Sequence, residues 1–293
     1  QVFKEYYLNI CFILLAMPQL AYGKQNVVIK IGTSVLTNSR GWISSSRVKE
    51  IVRQISENRG KMKSLIIVTS GAIATGLSRL GINATPGSLK LTMKQVCAAV
   101  GQPSLMALYA KYFNRYGVNV AQILLTEEDL ANQYRYKNFW RTLSALIERG
   151  VIPIINENDA ISVKELIPIN PYVPDSVRFG DNDRLSAIIA SKVRADLLIM
   201  LTNVDGFMMP TKNGVKLVRE LRGVDKKILS YAGSSSSLGR GGMLSKLQAA
   251  AIASRAGVTT VIANGLKKNI ITKILNGENV GTVVKPLRKR FKS

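Results

Sequence analysis

Lys30 is the residue whose surroundings first suggest chemistry. It lies within the apolar, β-branched segment 27–36, which predicts a strand that is buried on both faces. An ammonium group in such a segment is costly unless an anion meets it at the end of the strand. Gly32, Thr33 and Ser34 follow and offer close backbone approach and hydroxyl groups, so phosphate is the natural anion. Alternatively, Lys30 lies at the strand end and extends its ammonium group into solvent.

A second lysine lies in a different kind of phosphate-binding pattern. Lys246 ends the segment GRGGMLSK at 239–246, where a predicted helix over 244–256 begins. Glycines at a helix N-terminus expose amide groups to an anion, and a lysine one turn inside the helix can reach the same phosphate. A flexible glycine-rich linker is the alternative. Lys30 does not form a Walker A loop, because it precedes Gly32, whereas the lysine of such a loop follows the glycines.

Polar clusters also follow four predicted strands, at 30–34, 69–71, 156–159 and 202–206. The carboxyl ends of strands in an open parallel sheet share one edge, and ligands bind at that edge. Each cluster alone could be ordinary turn chemistry. The four together predict a ligand site.

The segment Asp181-Asn182-Asp183 allows two interpretations. It could be a helix N-cap whose acidic groups compensate the helix dipole. In the functional interpretation, one carboxylate faces inward and orients lysines or a metal. Two lysines, at least one carboxylate and glycine-rich amides are suited to phosphoryl transfer by positioning and charge neutralisation, with Mg²⁺ held mainly by phosphate oxygens.

Composition removes several kinds of catalytic site. Histidine is absent, which excludes histidine triads, histidine metal sites and histidine general bases. Cys11 and Cys97 provide no disulfide framework, which fits a reducing, cytoplasmic compartment. Cys97 lies in an apolar helical pattern, so we do not expect a thiolate nucleophile.

The formal net charge of +23 suggests a polyanionic partner, but the distribution of the charges does not. Basic residues are spread along the chain, and the dense cluster at 285–292 has no interleaved aromatic residues. We therefore expect neither nucleic acid nor a membrane as a partner.

Strands and helices alternate along the sequence, which predicts an α/β fold with an open, mostly parallel sheet sandwiched by helices. Beyond the first strand, strands are predicted at 65–68, 118–125, 151–155, 197–201, 258–263 and 282–284. The helix predicted over 93–113 is interrupted at 101–103, where glycine and proline occur. The irregular segment 161–179 is predicted to be a loop that covers or borders the site.

The domain organisation is predicted to be one folded domain over 25–285, preceded by a hydrophobic extension over 1–24 and followed by a basic tail over 286–293. The apolar segment 10–16 is similar to the core of a signal peptide or a short anchor, but its positive flank is poor. An extension outside the core, without a targeting role, is the alternative that we favour.

Six segments together resemble the glutamate 5-kinases of the amino acid kinase superfamily. They are VVIKIGTSVLT, IIVTSGAIATGL, CAAVGQPSLM, VIPIINENDA, FGDNDRLSA and GRGGMLSKLQAA, in collinear order from 27 to 284. The resemblance implies the amino acid kinase fold. It also implies ATP-dependent phosphorylation of the γ-carboxylate of L-glutamate to L-glutamyl 5-phosphate, the first step of proline biosynthesis, with ATP and Mg²⁺ as cofactors.

The resemblance also assigns roles to residues. The implied catalytic residues are Lys30, Asp183 and Lys246. The implied glutamate-binding residues are Ser70, Asp159 and Asn182, with Asn156 and Asp181 nearby. The implied ATP-binding residues are Lys30, Gly32, Thr202, Asn203, Arg240, Gly241, Gly242, Met243, Leu244, Ser245 and Lys246.

Some features depart from the family pattern. Asn203 stands where bacterial members commonly have aspartate, and Arg240 stands where a small residue is usual. The segment between Asp159 and Gly180 is longer than in compact bacterial enzymes and resembles the kinase half of bifunctional pyrroline-5-carboxylate synthase. We expect no C-terminal PUA domain. A homo-oligomer, dimer or tetramer, and a downstream glutamyl phosphate reductase are the partners that the resemblance implies.

Two rival functions stay open at this stage. Another member of the superfamily, an acetylglutamate kinase or an aspartokinase, is disfavoured by the joint presence of NENDA and GDND. A degenerate, basic binding protein is disfavoured because Lys30, Asp183 and Lys246 are all present.

Overall fold

The computed structural model describes residues 24–162, 181–211, 214–233 and 242–287. The strands are β1 (Gln25–Ile31), β2 (Met62–Thr69), β3 (Val120–Leu125), β4 (Ile152–Glu157), β5 (Leu197–Thr202), β6 (Met208–Thr211), β7 (Gly214–Leu217), β8 (Glu220–Arg222), β9 (Thr259–Asn264) and β10 (Thr282–Lys285). The helices are α1 (Thr33–Leu36), α2 (Ser45–Glu57), α3 (Ala72–Leu80), α4 (Leu91–Phe113), α5 (Glu127–Ala131), α6 (Gln133–Glu148), α7 (Asn182–Lys192), α8 (Lys226–Gly233), α9 (Met243–Arg255) and α10 (Ile270–Leu275).

The described strands form one large sheet and one hairpin. The eight-stranded sheet has the order β3-β4-β2-β1-β5-β9-β10-β8, and β6 pairs with β7 in an antiparallel hairpin. All neighbours from β3 to β9 are parallel, whereas β10 runs antiparallel to β9. The predicted α/β fold with a mostly parallel sheet is confirmed.

The central strand β1 separates two apolar layers. Side chains alternate between the faces of a strand, so Val27, Ile29 and Ile31 pack into one layer with α2, α4 and α10. Val28 packs into the other layer with α7 and α9. Lys30 is two residues from Val28 and therefore lies on the same face of β1, toward α7 and α9. Because its ammonium group is buried there, those helices must supply a partner.

Helix α4 differs from its prediction because it is continuous through Pro103. A proline inside a helix removes the hydrogen bond to the carbonyl group four residues earlier. That carbonyl belongs to Ala99, which is exposed, so water can replace the missing donor. The predicted interruption at 101–103 is therefore wrong.

Two glycines allow α4 to lie directly against α3. A Cβ atom on Gly101 would be 1.9 Å from the carbonyl oxygen of Ala72, and one on Gly76 would be 1.9 Å from that of Cys97. Real Cβ atoms do not approach so closely, so the helix pair requires glycine at both positions. This contact fixes α4 beside the start of α3, which follows the polar end of β2.

Several predictions concern residues outside the described ranges. They are the extension except Lys24, most of the loop over 161–179, and the tail from 288 onward. In the part of the chain that the structure describes, no helix is both long enough and apolar enough to cross a membrane.

We expect Gly101→Ala to destabilise the fold, because the added methyl group forces α3 and α4 apart. Overpacking of this kind costs about 3 kcal/mol of the free energy of unfolding, which urea denaturation measures. Gly60→Ala is the matched control, since nothing lies within 4 Å of a Cβ atom there. Equal stability of the two variants would contradict the close contact.

Candidate active site

Two buried lysines share one buried carboxylate. The Nζ atom of Lys30 lies 2.6 Å from Oδ1 of Asp183, and the Nζ atom of Lys246 lies 3.1 Å from Oδ2 of the same residue. Asp183 is 1 % exposed, and the two lysines are 6 % and 7 % exposed. Strand β1 supplies the first lysine, and the first turns of α7 and α9 supply the aspartate and the second lysine. The three residues form what we call the ion triad.

Within the ion triad, two ammonium groups face one carboxylate. Burial raises the pKa of Asp183, but Lys30 and Lys246 outweigh burial and hold that pKa below its usual value. The carboxylate is therefore ionised, and one negative charge faces two positive ones. Two lysines converging on one edge of the sheet favour the approach of an anion such as phosphate.

Gly32 brings the backbone close to the triad. Its N–H donates to the carbonyl oxygen of Leu201 at 3.1 Å, which ties the end of β1 to β5. A Cβ atom on Gly32 would be 3.1 Å from that oxygen and 3.6 Å from Nζ of Lys30. The absence of a side chain keeps the space beside the lysine open.

A cavity of about 570 Å³ lies at this edge of the sheet. Its lining includes predicted site residues from every polar cluster: Lys30, Gly32, Ser70, Asp159, Asp181, Asn182, Asp183, Thr202, Asn203, Gly242, Met243 and Lys246. The shared edge that the strand ends predict is present in the structure.

One side of the cavity is a network of neutral polar groups. The Nδ2 atom of Asn182 donates to Oγ of Ser70 at 3.1 Å and to Oδ1 of Asn156 at 3.0 Å. Asn156 is 1 % exposed, so the network is fixed from behind rather than solvated. This side can bind a substrate through hydrogen bonds and leaves the positive charge at the ion triad.

Asp181 has a different role from Asp183. Its Oδ1 atom accepts from the backbone N–H of Arg184 at 3.0 Å, which is an N-cap contact. Its Oδ2 atom accepts from the hydroxyl group of Ser245, so the same carboxylate joins the N-termini of α7 and α9. The cap interpretation therefore describes Asp181, and the inward-facing interpretation describes Asp183.

The amino acid kinase family model matches residues 25–264. The chain belongs to the amino acid kinase family. It is 43 % identical over 262 residues to the glutamate 5-kinase of Dehalococcoides mccartyi, a match that covers 88 % of this chain and 68 % of that one. The glutamate 5-kinase of Clostridium acetobutylicum is 42 % identical over 268 residues, with 90 % and 95 % covered. The resemblance to glutamate 5-kinases is thereby confirmed.

A solved structure supports the amino acid kinase fold. Carbamate kinase from Giardia lamblia bound to AMP-PNP superposes with a TM-score of 0.62 and 16 % sequence identity, covering 90 % of this chain and 99 % of that one. At this identity the likeness concerns the fold alone.

The predicted nucleotide residues fall into three groups. Lys30, Gly32, Thr202, Asn203, Gly242, Met243 and Lys246 line the cavity. Leu244 packs against the apolar layer of α7 and α9, and Ser245 donates to Asp181 and, at 3.3 Å, to Asp183. Arg240 and Gly241 lie outside the described residues.

Some lining residues had no assigned role in the sequence. Glu157 is 5 % exposed, lines the cavity and accepts a hydrogen bond from the hydroxyl group of Ser162 at 3.2 Å. It lies in the polar cluster at 156–159, so its position was a usable signal.

Cys97 is buried, and burial raises the pKa of its thiol, which agrees with the absence of a thiolate role.

We expect Asp183→Asn to lower the free energy of unfolding at pH 7 by about 3 kcal/mol, because two buried ammonium groups lose their carboxylate. Since the folded-state pKa of Asp183 is lowered, its contribution is complete above the unfolded pKa of about 3.9 and disappears as the pH falls through the folded value. The difference between wild type and variant in the free energy of unfolding should therefore narrow only below about pH 4. Urea unfolding at several pH values measures it.

Asp205→Asn is the matched control for this prediction. Asp205 pairs with Lys267 on the surface, with side chains 44 % and 55 % exposed, so its removal should cost about 0.5 kcal/mol or less. An Asp183→Asn variant as stable as this control would refute the energetic role of the ion triad.

Proposed function

We propose that this chain transfers the γ-phosphoryl group of ATP to the γ-carboxylate of L-glutamate, forming L-glutamyl 5-phosphate in the first step of proline biosynthesis. The observation that carries the proposal is the ion triad, which joins the nucleotide side of the cavity to its amide-lined side. Relatives named glutamate 5-kinase, at about 40 % identity over about 90 % of the chain, support this acceptor.

The reaction needs charge neutralisation more than proton transfer. The acceptor carboxylate is already ionised at neutral pH, so one of its oxygens attacks the γ-phosphorus without a general base. A bond from the carboxylate oxygen to phosphorus forms, and the bond from phosphorus to the β-phosphate oxygen breaks, leaving ADP. Lys30 and Lys246 neutralise charge on the transferring group and the β-phosphate, while Asp183 holds both ammonium groups in place.

Glutamate would occupy the amide-lined side of the cavity. Ser70 and Asn182 are hydrogen-bonded to each other, and Asn156 stands behind them. Asp159 adds a carboxylate to the lining, which suits the α-ammonium group of an amino acid. These groups recognise the α-carbon end of glutamate, which carries the α-ammonium group, and direct its γ-carboxylate toward the triad.

ATP would occupy the side formed by the ends of β1, β5 and the start of α9. Gly32 and Gly242 allow close approach to its phosphates, and Thr202 and Asn203 line the adjoining space. The described residues contain no cluster of three or more histidine, cysteine, aspartate or glutamate side chains that could hold a metal. Mg²⁺ would therefore be held mainly by ATP oxygens, where it neutralises phosphate charge.

The kinase domain is proposed to span 25–285, with the extension over 1–24 and the tail over 286–293 outside it. Strand β10 supports this boundary, because it pairs with β9 in the main sheet beyond the end of the family match. The buried free thiol of Cys97 is compatible with the cytoplasm. An acyl phosphate product is labile, so a glutamyl phosphate reductase is the expected consumer.

Trapping of the acyl phosphate as a hydroxamate tests the function. The full chain is incubated with Mg-ATP, hydroxylamine and either glutamate, aspartate or N-acetylglutamate. We expect a signal that depends on glutamate and on ATP, with little signal from the other two acids. A signal with N-acetylglutamate or aspartate instead would assign the chain to a different reaction of the same family, and no signal with any acid would overturn the proposal.

We expect Lys246→Met and Asp159→Asn to affect different kinetic constants. Lys246→Met should lower kcat by about 10²-fold to 10³-fold with a small change in the glutamate KM, because the lysine acts on charge in the transition state. Asp159→Asn should raise the glutamate KM by about tenfold with a small change in kcat, because it acts on binding. Steady-state kinetics at saturating ATP measures both, and an unchanged kcat in the lysine variant would refute its role.

A homo-oligomer is also proposed, because α4 presents an apolar stripe to solvent. Met93, Val96 and Val100 lie on one face of the helix and are 38–42 % exposed. Exposed apolar residues in a row are typical of an interface between protein chains. A second copy of this chain is the occupant that we propose for the stripe.

We expect wild type to have at least twice the chain mass of 32.1 kDa by light scattering, and Val96→Glu to shift it toward the monomer. Val215→Glu is the control, since Val215 is 69 % exposed on the separate hairpin and should leave the mass unchanged. A monomeric wild type at micromolar concentration would rule out this interface.

A further inference from the structure

A chain of four amide side chains runs from the edge of the sheet to the cavity. Gln122 on β3 accepts from Nε2 of Gln102 at 3.1 Å, and Oε1 of Gln102 accepts from Nδ2 of Asn156 at 3.0 Å. Oδ1 of Asn156 then accepts from Nδ2 of Asn182 at 3.0 Å. Gln102 is 6 % exposed and Asn156 is 1 % exposed, so water has little access to the middle of the chain.

One backbone group determines which side chain donates and which accepts along the whole series of amides. The N–H of Glu157 donates to Oδ1 of Asn156 at 2.9 Å, and a backbone N–H can only donate. The Nδ2 atom of Asn156 must therefore face Gln102, which must present an oxygen to it. The same oxygen of Asn156 also fixes the other neighbour, since Asn182 must approach it with its amino group.

The consequence appears at Asn182. Its Nδ2 atom donates to Asn156 and Ser70, and its buried Oδ1 atom has no hydrogen-bond partner among the residues that the structure describes. A buried acceptor without a donor is costly, and residues that line a cavity can recover that cost from a ligand. An N–H or an O–H group can donate to this oxygen, and the ionised glutamate of the proposed function carries its donors on the α-ammonium group.

We propose that Gln102 is a positioning residue for the acceptor substrate: through Asn156 it holds Asn182 with its carbonyl oxygen available to an N–H donor of the ligand. This inference rests on the proposed function, in which that donor is the α-ammonium group of glutamate. Gln102 does not touch the substrate. It acts through Asn156 and favours acceptors that present a hydrogen-bond donor to Asn182.

The fold explains how a helix residue reaches a strand end. Gly101 has no side chain, so α4 lies against Ala72 at the start of α3. The next residue, Gln102, is thereby directed to the end of β4, where Asn156 lies. A side chain without an acceptor oxygen at this position would leave the Nδ2 atom of Asn156 buried without an acceptor.

The test compares Gln102→Met, Gln102→Glu and Gln54→Met with wild type. Gln102→Met keeps the size of the side chain and removes the acceptor, so Asn156 and Asn182 can reorient. We expect its glutamate KM to rise about tenfold, with kcat and the ATP KM changed less than about threefold. Gln102→Glu retains an oxygen for Asn156, and the exposed Gln122 can rotate to donate to the second oxygen, so the glutamate KM should return toward wild type.

Gln54→Met is the matched control. Gln54 is a 2 % exposed glutamine on α2 that donates to Glu50 and accepts from the backbone N–H of Ile271, and it does not line the cavity. The Gln54→Met variant should lose thermal stability while its glutamate KM stays at the wild-type value. Thermal unfolding of each variant shows how much stability was lost.

The outcomes separate the two proposals. Wild type that shows no glutamate-dependent activity and no glutamate binding by calorimetry overturns the proposed function, and this inference with it. Active wild type together with an unchanged glutamate KM in Gln102→Met overturns only the inference. A rise in the glutamate KM that Gln102→Glu does not relieve, or that Gln54→Met shares, assigns Gln102 a merely structural role. That outcome also overturns the inference.

Discussion

The structure depends on one electrostatic constraint, which is that a single buried carboxylate must hold two buried ammonium groups. Lys30 can be buried at the end of a central strand only because Asp183 lies 2.6 Å away, and Asp183 remains ionised only because two lysines outweigh its burial. The constraint therefore fixes the positions of three elements, since β1, α7 and α9 must meet at their polar ends. Gly32, which leaves space beside Lys30, and the hydrogen bond from Ser245 to Asp181 help these three elements to meet.

The two sides of the cavity differ in the kind of polarity that they use. Charge is concentrated at the ion triad, where the negative charge of a phosphate chain is greatest. The opposite side holds Ser70, Asn156 and Asn182, whose neutral groups give direction without adding positive charge. Because a carboxylate acceptor is itself an anion, additional cations on that side would retain it away from the phosphorus. Uncharged amides with the Asp159 carboxylate at one end, and positive charge at the other, favour an acceptor whose reactive carboxylate faces the lysines.

Much of the fold and part of the site could be predicted from the sequence, for physical reasons. Lys30 could be recognised because a charge inside an apolar strand is rare, and the strand-end clusters because parallel strands share an edge. Pro103 misled the helix prediction, because local rules cannot show that Ala99, whose carbonyl loses its usual donor, is an exposed residue. Leu244 belongs to a phosphate-binding pattern by position, but helical geometry directs it into the apolar layer. Gln102 gave no local signal, since its partners are 20 and 54 residues away.

The order of donors and acceptors along the amide chain explains how this fold can select one carboxylic acid as the acceptor. The ion triad neutralises phosphate charge and would do so for any acceptor, so it cannot by itself distinguish one carboxylic acid from another. Discrimination requires groups that gain or lose hydrogen bonds with the acceptor, and a site that leaves a buried oxygen unpaired rejects ligands that lack the matching donor. The backbone N–H of Glu157 makes this oxygen an obligatory feature of the fold, because it fixes Asn156 and, through it, Asn182. Under the proposed function, specificity is thus set by the amides that the strand end of β4 orients, and phosphoryl transfer by the charges that β1, α7 and α9 bring together.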